Sequence, residues 1–310
     1  MCNDPTFQAT IWKIDRFALH DGPGIRTNIY FKGCPLRCLW CSNPEGQLKR
    51  QELAFSDAKC TRCGLCPDVC PRGALKLQDD VPVPDPKKCD LCGACQSSCP
   101  TGALFICGRL YGLPEIVDII ERDRHVYRQS GGGITCTGGE PLLQAGFLKR
   151  LLARCRRVGI HAALETCGYL SRTEFRKVLD DVDWLFFDLK HMDGTQHKRL
   201  TGRDNSLILD NLRTASSVLG ESGKTLIIRH VVVPGFNDES NIRALAELAR
   251  GLPYVTKVEL LPYHAYGVHK YRTLWRTYGL KDVDSPREHK LAEDREMIER
   301  FGIRCEVGGL

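Results

Sequence analysis

Between residues 57 and 107 the chain carries a doubled cysteine pattern that limits its possible folds more than any other stretch. Cys60, Cys63, Cys66 and Cys70 stand at C-x2-C-x2-C-x3-C spacing and are followed by Pro71. Cys89, Cys92, Cys95 and Cys99 repeat that spacing 29 residues later, followed by Pro100, and each copy ends in Gly-Ala-Leu, at residues 73–75 and 102–104. Short polar links and prolines surround the thiols, without a long amphipathic period. Roughly 50 residues of this texture bury only a small core and need staples of another kind. Seventeen cysteines in a secreted chain would suggest disulfides. Met1–Pro5 shows no basic region leading into an apolar stretch, so no secretory signal is expected, and the clustered spacing points to metal.

The doubled pattern resembles the bacterial ferredoxin run, in which the fourth cysteine of each copy ligates the other copy's cluster. That implies one [4Fe–4S] cluster on Cys60, Cys63, Cys66 and Cys99, and a second on Cys89, Cys92, Cys95 and Cys70. Paired zinc knuckles are the alternative, although a third cysteine at x2 spacing plus Cys-Pro suits zinc poorly.

A second group of thiols lies in Gly33-Cys34-Pro35-Leu36-Arg37-Cys38-Leu39-Trp40-Cys41, just after the strand-like run 28–32. Four-iron clusters are usually held by four thiolates, so three leave one iron open, and an open metal position lets a site do chemistry. A three-cysteine zinc site completed by a distant His, or three buried free thiols, are the other readings. Cys2, Cys107, Cys136, Cys155, Cys167 and Cys305 have no partner spacing and read as structural thiols.

The C-x3-C-x-aromatic-C loop, with Trp40 at the aromatic position, resembles the radical S-adenosylmethionine (SAM) superfamily. Three flanking stretches resemble the activating enzymes of glycyl radical enzymes. They are His20-Asp21-Gly22-Pro23-Gly24-Ile25-Arg26-Thr27, then residues 31–38, then Trp40-Cys41-Ser42-Asn43-Pro44-Glu45. The resemblance continues in the middle and near the end of the chain.

A chain of 310 residues suits one α/β domain of barrel size with an insertion. Hydrophobic content of 42% with 26% charged residues allows a sizeable core. No apolar run reaches the ~18 residues of a membrane span, so a cytoplasmic chain is expected, suited to an anaerobic cell. The formal charge of +6 is scattered rather than blocked. It would ease docking to an acidic protein but lacks the basic stripe that nucleic acid requires.

After the cysteine-rich stretch, strands and helices alternate. Strands are expected at Ile134–Thr137, His161–Glu165, Trp184–Leu189, Leu226–Val233, Lys257–Pro262 and Ile303–Val307. Helices are expected at Pro114–Arg124, Pro141–Val158 (burying Leu142, Leu143, Phe147, Leu148, Leu151 and Leu152), Arg172–Leu179, Leu207–Leu219, Ser240–Arg250 and Arg287–Phe301. Tyr263–Ser285 reads as a long loop. The fold class is therefore α/β with parallel βαβ units, in agreement with the partial (β/α)6 barrel that the resemblance implies, with the dicluster domain inserted. The boundaries are 1–56 and 108–310 for the barrel and 57–107 for the insert.

Active sites of parallel barrels gather at the carboxyl ends of strands. Those ends here are Gly33-Cys34, Thr137-Gly138-Gly139-Glu140, Glu165-Thr166, Asp188-Leu189-Lys190, Arg229 to Gly235, and Tyr263-His264. Gly138 and Gly139 let backbone groups come close to a ligand, and Glu140 can order their turn. Asp188 and Lys190, at i and i+2, share one face. Arg229 is a weaker candidate for a substrate carboxylate. The resemblance implies a SAM site of Trp40, Cys41, Ser42, Gly138, Gly139, Glu140, Glu165, Asp188, Leu189, Lys190 and His264. Within it Gly-Gly-Glu holds the amino group, Lys190 pairs with the carboxylate, and Asp188 orients SAM or a bound monovalent cation.

What the resemblance implies for function is a reductive cleavage of SAM on the Cys34–Cys38–Cys41 cluster. The resulting 5′-deoxyadenosyl radical takes a hydrogen from a glycine of a partner enzyme. Three [4Fe–4S] clusters, reduced flavodoxin or ferredoxin as donor, and a monomeric chain complete that expectation. The Asp21–Gly24 loop and His191–Arg203 would face the partner. Two rivals are a radical SAM enzyme acting on a small molecule and a dicluster electron carrier; the second leaves some 200 residues of βα units without a role.

Overall fold

The computed structural model describes residues 7–237 and 239–308, so Cys2 and the N-terminal stretch read above lie outside the described residues. In chain order the first strands are β1 (Gln8–Ala18), β2 (Arg26–Phe31), β3 (Glu52–Phe55), β4 (Leu75–Gln78), β5 (Val81–Pro84), β6 (Leu104–Cys107) and β7 (Arg109–Gly112). Then come β8 (Gly133–Gly138), β9 (His161–Thr166), β10 (Trp184–Asp188), β11 (Thr225–Val232), β12 (Lys257–Pro262) and β13 (Cys305–Val307).

Nine strands form one sheet in the order β13-β12-β11-β10-β9-β8-β2-β1-β7. From β2 to β13 every neighbouring pair is parallel. Parallel neighbours need long crossovers, and those between β8 and β13 carry the helices Ala145–Arg157, Arg172–Leu179, Ser206–Glu221, Glu239–Arg250 and Glu288–Arg300. Within the parallel run from β2 to β13 strand order follows chain order without reversal, which is barrel winding rather than the doubly wound plan with its switch point. Since β13 does not pair with β2, the barrel stays open.

Helix patterning follows the crossovers closely. Ala145–Arg157 buries Phe147, Leu148, Leu151, Leu152 and Cys155 against the sheet, and these side chains join one core with Ile29, Phe31, Ile134 and Leu164. Among the described residues no helix is long and apolar enough to cross a membrane.

Several expectations are corrected. β1 runs antiparallel beside β2, and β7 antiparallel beside β1, where the reading gave a single first strand. Pro141–Gln144 is a separate 3-10 turn, capped by the Glu140 side chain on Leu142 N, so the helix proper starts at Ala145 and Leu143 is exposed. The expected helix Pro114–Arg124 ends at Arg122, and a second helix spans Arg124–Ser130. The long loop after β12 contains a helix at Val268–Thr273, too short for its period to be read.

The insert stands on an antiparallel ribbon, with β3 paired to β6 from Glu52↔Cys107 to Phe55↔Leu104. One face, Leu53, Phe55 and Leu104, packs with Leu75 and Ala103 among the insert's cysteines. The other presents Ala54, Phe105 and Cys107 to Trp12 and Leu274. Below it Lys32, wholly buried, pairs with Glu52 at 3.1 Å and donates to the Glu45 carbonyl at 2.7 Å.

Candidate active site and metal-binding thiols

The loop bearing Cys34, Cys38 and Cys41 is fixed at both ends. Gly33 N donates to Gly46 O at 2.8 Å and Cys34 N to Gln47 O at 3.1 Å. Arg37 N and Leu39 N donate to Thr201 O and Leu200 O at 2.7 and 3.1 Å. Those carbonyls end the helix Gly194–Thr201, where the last turn leaves acceptors unpaired. Part of the expected partner-facing segment thus holds the thiol loop. All three thiols are free and line one cavity of about 250 Å³.

Gly138, Gly139, Glu165, Asp188, Lys190, His264, Trp40 and Ser42 line the same cavity. Gly138 has φ +113, and a Cβ on Gly139 would collide with the carbonyls of Gly46 and Gly33. The glycines therefore answer first to strand-end packing. Glu140 is wholly buried and does not line the cavity. Its carboxylate accepts from Leu142 N at 3.0 Å, Thr166 Oγ1 at 2.7 Å and Cys167 N at 2.8 Å, which orders the turn.

Lys190 Nζ lies 3.0 Å from Asp188 Oδ2, with the side chains 14% and 29% exposed. Burial alone would lower the lysine, but Asp188 and Cys38 outweigh it and hold the ammonium well above its ordinary value. Leu189 between them points into the core. Its N–H donates to Arg229 O at 2.9 Å, and its carbonyl meets His230 Nδ1 at 2.7 Å.

Arg229 does not offer a free guanidinium to a substrate carboxylate. It pairs with Glu165 and, at 2.8 Å, with Glu259, lying 3.7 Å over the Phe186 ring. Burial pushes Glu165 up, with Arg229 opposing, and Thr137 Oγ1 donates to it at 2.5 Å. Trp40 is mostly core, packed with Tyr263, Tyr271 and Tyr278. Its indole nitrogen is buried without a hydrogen-bond partner. His264 accepts from Tyr266 N at 3.3 Å and stacks on that ring.

Residues 86–248 match the radical SAM superfamily, and residues 59–103 match the 4Fe-4S dicluster domain. The trans-4-hydroxy-L-proline dehydratase activating enzyme of Clostridioides difficile is 37% identical over 96% of this chain and 98% of its own. The choline trimethylamine-lyase activating enzyme of Oleidesulfovibrio alaskensis is 40% identical over 97% and 98%. The chain belongs to the radical SAM superfamily, among the activating enzymes of glycyl radical enzymes. Streptococcus suis SuiB, solved bound to precursor peptide SuiA, shares the fold at 12% identity and a TM-score of 0.54, over 89% of this chain and 46% of that one.

In this radical SAM enzyme the dicluster region gathers its thiols across the repeat. Cys60, Cys63, Cys66 and Cys99 line one small cavity together with Cys95. On the other side Cys70 and Cys89 stand close enough to act on Cys95. The two copies match in detail. Cys70 Sγ accepts from Ala74 N at 3.3 Å, and Cys99 Sγ accepts from Ala103 N at 3.2 Å. Burial would raise Cys99, but the N–H groups of Leu104, Thr101 and Ala103 and the Thr101 hydroxyl bring it to about 7. Donors aimed at a sulfur suit a thiolate held by metal.

Cys167, read as a structural thiol, instead lines the cavity next to Cys34. That contact holds Cys34 below the ordinary thiol range, and with burial it pushes Cys167 well above. Reading the third strand end one residue further would have found it. Cys136, Cys155 and Cys305 are buried thiols raised by burial, as a structural role requires. Gln47, Thr137 and Tyr263 also line the radical SAM cavity. Thr137 and Tyr263 belong to strand ends read above, while Gln47 stands in no motif.

Proposed function

We propose that Cys34, Cys38 and Cys41 hold a [4Fe–4S] cluster with one open iron, and that this cavity binds SAM to activate a glycyl radical enzyme. The observation that carries this reading is the convergence of three free thiols, the Gly138–Gly139 turn and the Asp188–Lys190 pair on one cavity at the carboxyl ends of the strands. When bound, the cluster supplies one electron to SAM, which yields methionine and a 5′-deoxyadenosyl radical that takes hydrogen from a glycine of the client.

The chain's own residues do the rest. Lys190 is the cation for the SAM carboxylate, and Asp188 orients the ammonium until SAM arrives. A monovalent cation takes the place beside Asp188 once Lys190 turns to that carboxylate. Backbone groups of Gly138 and Gly139 face the amino group, and Glu140 fixes their turn. Trp40, Ser42 and His264 stand at the adenine side. The paired Arg229–Glu165 floor keeps the cavity polar and shaped, and buried walls exclude water from the reacting atoms.

Two further [4Fe–4S] clusters belong to the insert at 57–107, on Cys60, Cys63, Cys66 and Cys99 and on Cys89, Cys92, Cys95 and Cys70, with the β3–β6 ribbon as stem. Reduced flavodoxin or ferredoxin is the donor, and the chain acts as a monomer. The cytoplasm is the proposed location, a reducing compartment in which cysteines serve metal sites rather than disulfides. The relatives are named for dehydratase, lyase and decarboxylase clients at 36–41% identity, so the shared part is the activation and not the client's own reaction.

The test is EPR on anaerobically reconstituted, reduced enzyme with SAM, with and without a candidate client. A glycyl radical doublet only in the client's presence is expected. Turnover of a small molecule with no client present would overturn the reading in favour of the rival.

A further inference from the structure

One segment touches both sets of thiols. The helix Val268–Thr273 buries Tyr271 in the aromatic cluster around Trp40, with Cys38 packed at its edge. The Tyr271 hydroxyl accepts from Gln47 Nε2 at 3.2 Å, and Gln47 lines the cavity beside Cys41. Four residues on, Trp275 packs among the insert's cysteines instead. It stacks on Phe55, with centroids 6.1 Å apart and planes 19° from parallel, and its Nε1 donates to Pro82 O at 2.9 Å. Phe55 and Pro82 are walls of the cavity that gathers Cys60, Cys63, Cys66 and Cys99.

Trp275 has φ +51, a left-handed conformation that a bulky residue keeps only where its surroundings hold it. The Phe55 stack and the Pro82 bond do that holding. Arg276 anchors the next residue, donating to Pro44 O at 2.8 Å and pairing with Glu52. Each thiol set of the insert has one exposed member, Cys63 in the Cys60–Cys63–Cys66–Cys99 set and Cys92 in the other. Cys92 is exposed beside the solvent-facing Arg72–Asp90 pair, and its N–H donates to Asp90 at 3.2 Å.

We propose that residues 268–276 are a strap coupling the two metal-binding regions, with Trp275 the positioning residue that sets the Cys60–Cys63–Cys66–Cys99 site as the insert's electron exit toward Cys34, Cys38 and Cys41. The remaining set of Cys89, Cys92, Cys95 and Cys70 is then the entry. The inference rests on the reading given under Proposed function. One electron moves inward and no bond changes, and a low-potential one-electron donor protein restores the entry site.

The test uses reconstituted holoenzyme carrying Trp275→Ala or Trp275→Phe, mixed with flavodoxin hydroquinone. Freeze-quench EPR follows the appearance of the reduced N-terminal cluster, and SAM cleavage driven by dithionite is measured in parallel. Trp275→Ala is expected to slow that appearance by about tenfold or more, because a small displacement of a positioning contact is amplified at the site it serves. Trp275→Phe, which keeps the stack, stays near wild type, and dithionite-driven cleavage is unchanged in both. A wild-type rate in Trp275→Ala, or an equal loss with dithionite, overturns the proposal. Should the alanine variant lose iron, Trp275→Leu, bulky but without ring or N–H, is read by the same criteria. Wild-type enzyme that fails to cleave SAM even with dithionite would instead overturn the underlying reading.

Discussion

The Glu140 carboxylate accepts the Cys167 N–H at 2.8 Å, while the Glu140 N–H donates to the Gly33 carbonyl at 2.6 Å. One buried residue thus bolts the end of β9 to the loop that carries Cys34. Removing the carboxylate leaves Leu142 N, Thr166 Oγ1 and Cys167 N without an acceptor, and each buried orphan costs about 1–3 kcal/mol. Glu140→Ala is expected to lower stability by about 3 kcal/mol or more, read from anaerobic guanidinium unfolding. Glu140→Gln, which keeps an acceptor oxygen, loses less. Equal losses in the two variants would contradict the bolt.

Gly139 is the second fastening of the same joint. A side chain there would drive into the Gly33 and Gly46 carbonyls, and backbone cannot yield as a flexible side chain can. Gly139→Ala should displace the thiol loop and leave the insert intact. Reconstituted protein is expected to hold roughly eight irons in place of twelve, at four per cluster. Full iron content with normal SAM cleavage would show that the strand ends can part.

Lys190→Met removes the one ammonium that Asp188 holds at 3.0 Å inside the cavity. Losing a charge-assisted bond costs about 1.5–3 kcal/mol. SAM affinity should therefore fall by about ten- to a hundredfold, with iron content unchanged, as isothermal titration of the reconstituted enzyme can measure. Unaltered affinity would remove Lys190 from the carboxylate contact.

The alternation of short apolar strands with amphipathic helices made the barrel legible, because a buried parallel strand and a one-sided helix each leave a period in sequence. The helices Arg172–Leu179 and Ser206–Glu221 and the strand Lys257–Pro262 fell at or near their expected places. The thiol sets were legible because metal ligands need fixed spacing. Arg229 was misjudged: its strand position was right, but its partners Glu165 and Glu259 lie 64 and 30 residues away, and pairing across strands leaves no local signature. Cys167 was missed for a different reason: it stands one residue past the strand end that was read. Tyr271 and Trp275 escaped notice because a six-residue helix has no readable period and a left-handed Trp no composition cue.

The two kinds of thiol site should separate by mutation. Cys38 lines the SAM cavity and Cys63 only the insert's. Cys38→Ala is expected to abolish SAM cleavage with dithionite, and Cys63→Ala to retain part of it. Methionine and 5′-deoxyadenosine released per chain are the readout. Equal residual cleavage in both would break the proposed division between an open-iron site and its supply.

His230 makes stability depend on pH in a stated direction. The ring is wholly buried, and its Nδ1 meets Leu189 O at 2.7 Å. Its Nε2 faces the amide nitrogens of Asn237 and Asn241 at 3.0 and 3.1 Å. Amide groups donate, so Nε2 must accept and the neutral ring is the one that fits. Burial brings the group from 6.5 down to about 4. The folded value lies below the unfolded one, so this stabilisation is complete above pH 6.5 and is lost as pH falls toward 4, where the native ring finally charges. Going from pH 7.5 to 5.5, wild type should lose about 1 kcal/mol from this group. His230→Gln, which keeps a donor and an acceptor but does not titrate, should lose correspondingly less over that interval. Because His230 holds the Leu189 carbonyl between Asp188 and Lys190, the variant should also bind SAM less tightly at pH 7.5. Parallel pH dependence in the two proteins, measured by anaerobic guanidinium midpoints, would mean that the ring charges without cost and that its neutral form is not what the site is built on.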